Sequence, residues 1–431
     1  MPNSLQGASQ ETVGIPAKPQ AGKRAGNRKG MNKGRNIIVG VTGGIAAYKA
    51  AELVRALRKR DAETAVVMTE SAKRFITPLT METVSGRAVA TELFPPNKRV
   101  GVRHISMAEW ASLIVVAPAT ANFIGKVASG IADDLLSTIV MAACGPVLFA
   151  PAMNDRMWTN PIVQRNIHAL QDAGMLFVEP ETGVLASGKI GTGRLAGIDR
   201  IVKTVENILN RSETLSGRKI LITASRTEED IDPVRFLTNR STGKMGYALA
   251  EVAYRKGAEV VLISGPTELP PPIGAELVRV RTAEEMRRAV IERFADCDAL
   301  IAAAAVADFR PERFSEQKIK KGAGEWALKL ARTADILSEI APSKGDRVLV
   351  GFAVETENAI ANAREKLQKK NLDFVVLNNP MMEGAAFGSD TNVVTILDRQ
   401  GHTEEFPKMS KLEVAEKVME KVQTRISHRE S

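Results

Sequence analysis

The sequence predicts an α/β protein: two tandem Rossmann-like domains, each a doubly wound and mainly parallel sheet, after a disordered basic N-terminal tail. Three observations carry this. Short β-branched runs alternate with stretches whose apolar residues recur at helical spacing, the signature of parallel strands joined by crossover helices. Glycine-rich turns stand where strand passes to helix. A polar stretch then interrupts the alternation once, and the pattern restarts behind it.

Asn36-Ile-Ile-Val-Gly-Val41 reads as the first strand, stopped by Thr42-Gly43-Gly44, with a helix over Ile45 to Arg60. Strands follow at Ala65 to Met68, Leu113 to Ala117 and Val147 to Ala150, with a helical stretch from Ala121 to Ala143. The polar segment Asn210-Arg-Ser-Glu-Thr-Leu-Ser-Gly217 marks a domain boundary, so residues 1–35 are read as tail, 36–210 as the first domain and 218–431 as the second. Behind the boundary come a strand at Lys219 to Ala224, a helix from Gly243 to Lys256, a strand at Val260 to Ile263, a helix from Ala283 to Ala295 and a strand at Leu300 to Ala305. The two halves show no close repeat. They are alike in class and separate in site.

A chain of 431 residues, 44% hydrophobic and 25% charged, buries ample core, and it has no apolar run of membrane-spanning length. The net charge of +9 is concentrated: Lys18, Lys23, Arg24, Arg28, Lys29, Lys33 and Arg35 face only Glu11 in the tail, which holds +6 and leaves +3 for the rest. That distribution argues against a nucleic-acid-binding folded face, and an RNA-binding arm is the weaker reading of the tail. The tail is rich in Gly, Asn, Gln and Pro and lacks the apolar segment of a secretory signal; Met31 is a second candidate start. Two cysteines, Cys144 and Cys297, make no disulfide framework, and both are expected as small buried thiols in a reducing, cytoplasmic setting. No His or Cys spacing suits zinc. Asp133-Asp134 point to different sides of a helix, so a helix-start role is expected in preference to a paired acid site.

Gly43-Gly44 allows backbone amides to approach a phosphate at a helix start, a weak signal by itself because a structural turn has the same residues. In combination the signal sharpens. Gly40-Val-Thr-Gly-Gly-Ile-Ala-Ala47, Met68-Thr-Glu70, Ala117-Pro-Ala-Thr-Ala-Asn122, Asp133-Asp-Leu-Leu-Ser-Thr138 and Pro151-Ala-Met-Asn154 occur in this order, and together they resemble the homo-oligomeric FMN-dependent cysteine decarboxylases over residues 36 to about 200. The resemblance implies FMN across the carboxyl ends of the strands, its phosphate near Gly43, Gly44 and Thr69, with Ala119, Asn122, Ser137 and Thr138 as further contacts. It also implies that His104 is catalytic and that Asn154 holds the substrate carboxylate while CO2 leaves from an oxidised intermediate. As a residue, Asn154 before Asp155 also reads as a helix cap, a role compatible with this one. The family's flap has Ala-Cys-Gly ahead of Gly-x-Gly-Arg. Here the stretch is Leu185-Ala-Ser-Gly-Lys-Ile-Gly-Thr-Gly-Arg194, so Ser187 replaces the expected proton-donor cysteine, and a hydroxyl is a far poorer acid than a thiol.

In the second half, Asp232-Pro-Val-Arg-Phe-Leu-Thr-Asn-Arg-Ser-Thr-Gly-Lys-Met-Gly246 feeds a polar segment into a helix start where backbone amides and Lys244 can hold a phosphate. With Ala302-Ala-Ala-Ala-Val-Ala-Asp308, Lys318-Ile-Lys-Lys321, Gly351-Phe-Ala-Val-Glu-Thr356, Lys370-Asn-Leu-Asp373 and Phe387-Gly-Ser-Asp-Thr-Asn392, this run resembles phosphopantothenate–cysteine ligase over residues 218 to about 428. The resemblance implies that Asn239 stabilises an acyl-cytidylate and Lys318 the cysteine-dependent step. It places CTP against Ala302, Ala303, Ala304, Asp308, Lys318, Ala334, Asp335, Ile336, Leu337, Phe352, Lys366 and Lys370, with Mg2+ offsetting phosphate charge through ligands left unassigned. On charge alone Lys318 to Lys321 is a solvated basic loop. Two positions depart from the family: Ala224-Ser-Arg-Thr227 stands for Ala-Gly-x-Thr, and Ala334 stands for a proline.

Together the resemblances imply a bifunctional enzyme of coenzyme A biosynthesis. Such an enzyme would ligate cysteine to 4'-phosphopantothenate with CTP and decarboxylate the product to 4'-phosphopantetheine with FMN. The base choice rests on the resemblance alone. Small-molecule substrates are expected, with no nucleic-acid or membrane partner, and homo-oligomers: trimers of the flavin domain, dimers of the ligase domain and a dodecamer if both persist. Two other classes are an active ligase carrying an impaired or regulatory flavin domain, and an NAD-dependent reductase.

Overall fold

The computed structural model describes residues 34–94, 103–320, 326–354, 358–378 and 389–428. The basic tail through residue 33 lies outside the described residues, as do Lys321, Glu355, Thr356, Phe387 and Gly388 of the quoted motifs. The chain forms two compact units that divide between Asn210 and Arg211.

The first unit contains β1 (Asn36–Val41), β2 (Glu63–Met68), β3 (Leu113–Ala119), β4 (Val147–Pro151) and β5 (Leu176–Phe177), all parallel in the order β2-β1-β3-β4-β5. Every residue of β3 and β4 is buried. Such unbroken apolar runs belong to strands covered on both faces, and the helices supply the cover. Sheet order reverses direction between β1 and β3, which opens a crevice at their carboxyl ends. A hairpin of β6 (Glu181–Val184) and β7 (Ile190–Arg194) follows.

The second unit opens with β8 (Lys219–Ala224) and a small hairpin of β9 (Glu228–Asp230) and β10 (Phe236–Thr238). Its main sheet continues through β11 (Glu259–Ser264), β12 (Ala275–Arg279) and β13 (Ala299–Ala302). A two-stranded ribbon, β14 (Phe309–Pro311) and β15 (Leu330–Arg332), precedes β16 (Val348–Val354), β17 (Phe374–Asn378), β18 (Thr391–Asp398) and β19 (Thr403–Ser410). The order β12-β11-β8-β13-β16-β17-β18-β19 places the reversal between β8 and β13. Six strands are parallel, and β18 and β19 are antiparallel additions at one edge.

Three expectations are corrected. The helical stretch from Ala121 to Ala143 is two helices, Ala121–Ala128 and Leu135–Met141. Gly130 takes a left-handed φ of 70°, and Asp134 caps the second helix by accepting from Ser137 N–H while Ser137 Oγ accepts from Asp134 N–H. Asp133 instead pairs with Lys126 at 2.7 Å. The strand expected to Ala305 ends at Ala302, and the residues behind it leave the sheet as Ala305 N–H donates to Ser225 O. Cys144 is exposed: it sits in the bend before Gly145-Pro146, a surface connection. Cys297 is buried as expected, its Sγ 3.3 Å from Phe294 O, and burial pushes its thiol up to about 12.

Beneath the second sheet, Lys344 and Asp373 form a buried ion pair at 2.7 Å, with side-chain exposures of 4% and 0%. Asp373 also accepts from Leu349 N–H and Arg425 Nε, tying β16 to the C-terminal helix Lys411–Ser427. Removing one partner of such a pair strands a buried charge. Lys344→Met is expected to cost about 3 kcal/mol, read as an earlier urea midpoint for the second unit. An unchanged midpoint would show that Arg425 alone compensates the Asp373 charge.

Candidate active sites

In each unit a large cavity lies at the carboxyl ends of the parallel strands. In the first unit it measures 860 Å³ and is floored by the turns after β1, β2, β3 and β4. Thr42, 1% exposed, joins two of these turns across the sheet reversal: its hydroxyl donates to Pro118 O at 2.7 Å and accepts from Thr120 N–H at 3.1 Å. Gly43 is required by packing. A Cβ there would lie 2.3 Å from Ser71 Cβ, so the turns after β1 and β2 touch only because it has none. Ile45 and Ala46, the first residues of the short Ile45–Tyr48 turn, line this cavity.

Asn154 caps the turn Asp155–Trp158 through Oδ1, which accepts from Arg156 N–H at 3.0 Å. That fixes the carboxamide with its NH2 available to an acceptor in the cavity. The hairpin β6–β7 folds over the same end: Met153 N–H donates to Gly193 O, and a Cβ on Gly193 would strike Met153 O at 2.2 Å. Ser187 lies in its tight turn, closed by Gly188 N–H donating to Leu185 O, and it is exposed at the cavity wall.

Of the sequence-derived residues, Gly43, Gly44, Thr69, Asn122, Asn154 and Ser187 line this cavity. His104, Ala119, Ser137 and Thr138 do not. His104 is half-buried in the first turn of Arg103–Trp110, Ala119 is packed into β3, and the Ser137 and Thr138 hydroxyls donate to Asp134 O. The cavity adds Tyr48 and Lys126, which no motif singled out, and Arg194, the last residue of the quoted flap motif. Lys126 is held charged chiefly by its hydrogen bond to Asp133, which raises its pKa despite burial.

The second cavity measures 810 Å³. Gly243, with φ 83°, caps helix Lys244–Arg255, and a Cβ on Gly246 would lie 2.4 Å from Ala224 Cβ, so this helix start abuts the end of β8. Asn239 is anchored by donating to Ala305 O and Val306 O at 3.2 and 3.1 Å. Asp335 caps helix Ile336–Ile340 and meets Lys370 at 2.7 Å; burial opposes its charge, but the Lys370 and Ser338 bonds outweigh it and lower its pKa. Lys366 donates to Phe352 O. Six cations line the cavity, Arg240, Lys244, Arg332, Lys366, Lys370 and Lys411, against Asp308 and Asp335, an imbalance suited to a polyphosphate.

Asn239, Ala302, Ala303, Ala304, Asp308, Ala334, Asp335, Ile336, Leu337, Phe352, Lys366 and Lys370 all line this space, whereas Lys318 is exposed outside it. The family's glycine position is occupied by Ser225 at φ 69°, held by its Oγ donating to Pro266 O at 2.5 Å. The sequence reading missed Arg332, Asn378 and Lys411; of these, only Asn378 carried a local signal, as the polar end of an apolar strand. Lys411 begins the last helix, and burial and the neighbouring Lys244 lower its pKa. Among the described residues no group of three or more His, Cys, Asp or Glu could hold a metal, and no helix is long and apolar enough to cross a membrane.

Comparisons with known proteins find two family models along the chain. Residues 25–210 match the family model described as Flavoprotein, and residues 215–426 match the DNA/pantothenate metabolism flavoprotein C-terminal domain. The coenzyme A biosynthesis bifunctional protein CoaBC of Bacillus subtilis (strain 168) is 48% identical over 390 residues, 90% of this chain and 96% of that protein. A crystal structure of the C-terminal domain of a CoaBC protein is 40% identical with a TM-score of 0.44, covering 50% of this chain and all of that one. The FMN-dependent cysteine decarboxylase SpaF is 34% identical with a TM-score of 0.37, over 41% of this chain and 95% of that one. With a flavoprotein unit first, a pantothenate-metabolism unit second and near-complete coverage of a whole relative, the chain is a bifunctional enzyme belonging to the coenzyme A biosynthesis family of CoaBC proteins.

Proposed function

We propose that the second unit, residues 218–431, joins cysteine to 4'-phosphopantothenate through an acyl-cytidylate, and that the first, residues 36–210, decarboxylates the product to 4'-phosphopantetheine using FMN. The observation that carries the ligase reading is the second cavity, where six cations converge on two well-packed helix starts. Carboxylate attack on an α-phosphate builds charge on phosphate oxygens, and Lys366 and Lys370 stand ready to offset it. Asn239, pinned to the chain behind β13, presents its remaining carboxamide oxygen and orientation to the acyl-nucleotide. Mg2+ enters with the nucleotide, since Asp308 and Asp335 are the cavity's only described acids and phosphates with water complete such a cation's shell.

The first cavity fits FMN by its glycine-backed floor and by the sheet reversal between β1 and β3, where flavodoxin-like sheets take FMN. Gly43, Gly44 and Thr69 would hold the phosphate. Bound there, FMN supplies a reversible two-electron acceptor for the thiol-bearing carbon of the substrate. Asn154 orients the carboxylate by its NH2 group, and the β6–β7 hairpin excludes water. His104 of a neighbouring copy takes the thiol proton, a reading supported by its position outside its own cavity and by the exposed apolar residues Ile45, Tyr48, Met157 and Val184 that line that cavity. Ser187 stands where the proton must return.

Purified protein given phosphopantothenate, CTP and cysteine is expected to release pyrophosphate; no release refutes the ligase, and equal turnover with ATP removes only the base preference. Light scattering is expected to show a homo-oligomer, with trimeric contacts through the first unit, and a stable FMN-bound monomer would overturn that. Because Ser187 is a weak acid, Ser187→Cys should raise 4'-phosphopantetheine formation at least about tenfold. Anaerobic single turnover by the native chain at the rate of Ser187→Cys, with 4'-phosphopantetheine as sole product, would show that serine suffices or that another acid such as Lys189 serves.

A further inference from the structure

Decarboxylation puts hydrogen on the carbon that carried the carboxylate, so every turnover must deliver one proton to carbon. His104 of a neighbouring copy cannot be its source. In the reading proposed for the first unit, the thiol-bearing carbon gives up a hydride as the sulfur proton passes to His104, and the C–S bond becomes a thioaldehyde. The C–CO2 bond then breaks, its electrons form a C=C bond, and sulfur is left as an ene-thiolate. Return needs a proton at the decarboxylated carbon, the hydride at the thiol-bearing carbon, and the proton stored on His104 at sulfur. A second acid is required.

Ser187 is a weak one, and the other groups of the cavity narrow the choice. Among the described residues no His or Cys lines it. Glu70 pairs with Lys73 and Asp134 accepts from Ser137 N–H, so both serve as anions. Lys126 is held charged by Asp133, and a guanidinium such as that of Arg194 keeps its proton. Lys49 follows the turn that would hold the phosphate, where a lysine stays charged. The Thr42 and Thr69 hydroxyls donate to Pro118 O and Val41 O. Tyr48 is left. It ends the turn Ile45–Tyr48, stands 59% exposed on the wall that Asn154 and Ser187 share, and its hydroxyl has no partner among the described residues. Phenols, with an ordinary pKa of about 10, are far stronger acids than aliphatic alcohols.

We infer that Tyr48 is a catalytic residue of the first unit: its hydroxyl delivers the proton to the decarboxylated carbon, the task given to the flap cysteine in the family pattern. The O–H bond breaks as the C=C electrons form the C–H bond, and a sulfur lone pair restores C=S. The phenolate regains its proton from water. That transient charge arises at the amino end of the ten-residue helix Lys49–Arg58, where an anion is favoured.

The inference rests on the decarboxylase reading, and the test tells their failures apart. The full-length protein loaded with FMN is mixed anaerobically with 4'-phosphopantothenoylcysteine and followed by flavin absorbance. Tyr48→Phe keeps the ring and removes the hydroxyl. Its flavin should bleach within about twofold of the parent rate but recover at least about tenfold more slowly, with ene-thiol building up. In a Ser187→Cys background the same change should cost less than about twofold, because the thiol takes over the proton. If Tyr48→Phe fails to fold or to hold FMN, 3-fluorotyrosine keeps the hydroxyl and makes it more acidic. Tyr48 is the one tyrosine of the first unit, so the alkaline limb of flavin recovery should then move to lower pH. Recovery of Tyr48→Phe at the parent rate overturns the inference alone, as does equal slowing of bleaching and recovery, an undiminished loss in the Ser187→Cys background, or an unmoved alkaline limb. A loss in Lys49→Gln that Ser187→Cys rescues, with Tyr48→Phe normal, moves the role to Lys49 and also overturns it. A parent whose flavin never bleaches overturns both the inference and the decarboxylase reading.

Discussion

A parallel strand buried on both faces leaves the chain only its two ends at which to be polar, and everything functional in this protein follows from that constraint. β3 and β4 bury every residue, and β8 and β11 all but their first. The turns at the carboxyl ends therefore gather the glycines, hydroxyls and amides that the sheets cannot accommodate. Both cavities open there, each beside the point where strand order reverses.

The units use that edge differently. In the first, contact between turns is so close that Gly43 and Gly193 are dictated by backbone approach, and the cavity has small, apolar and amide-bearing walls. This surface suits a flat ring and a single phosphate. In the second, lysines and arginines arrive from four separate segments, among them the starts of helices Lys244–Arg255 and Lys411–Ser427. Such convergence suits a more highly charged ligand. The chemistry of each half is thus set less by its fold class than by which side chains its strand ends carry.

Buried acids in the second unit serve as fasteners. Asp373 ties Lys344, Leu349 and Arg425 together under the sheet, and Asp232 ties a hairpin turn to a loop 87 residues onward. In each case the charge is affordable because several donors meet it, which makes the geometry specific: a carboxylate with all its bonds satisfied admits few alternative arrangements. Ser225 shows the opposite economy, a residue without glycine's freedom kept in a left-handed conformation, its Oγ donating to Pro266 O and its carbonyl accepting from Ala305 N–H.

Periodicity and glycine placement alone determined the α/β class, the restart after Asn210 and seven strands of the two main sheets, because a doubly buried strand is a short continuous apolar run bounded by turn residues. Local sequence also foretold Asn154 as a cap and a helix-start role for Asp133-Asp134, which Asp134 takes, since capping joins neighbours in the chain. It misjudged Cys144, whose apolar neighbours conceal a surface bend, and it ran two helices together across Gly130, because helical spacing of apolar residues survives a short interruption. The motifs brought most residues of both cavities into view. Only the tertiary structure decided that His104 and Lys318 stand apart from the cavities of their own units, that Lys411 and Asn378 join one, and that Asp232 holds Ile319: those relations depend on strand order and loop path, which bring together residues that no short-range pattern relates.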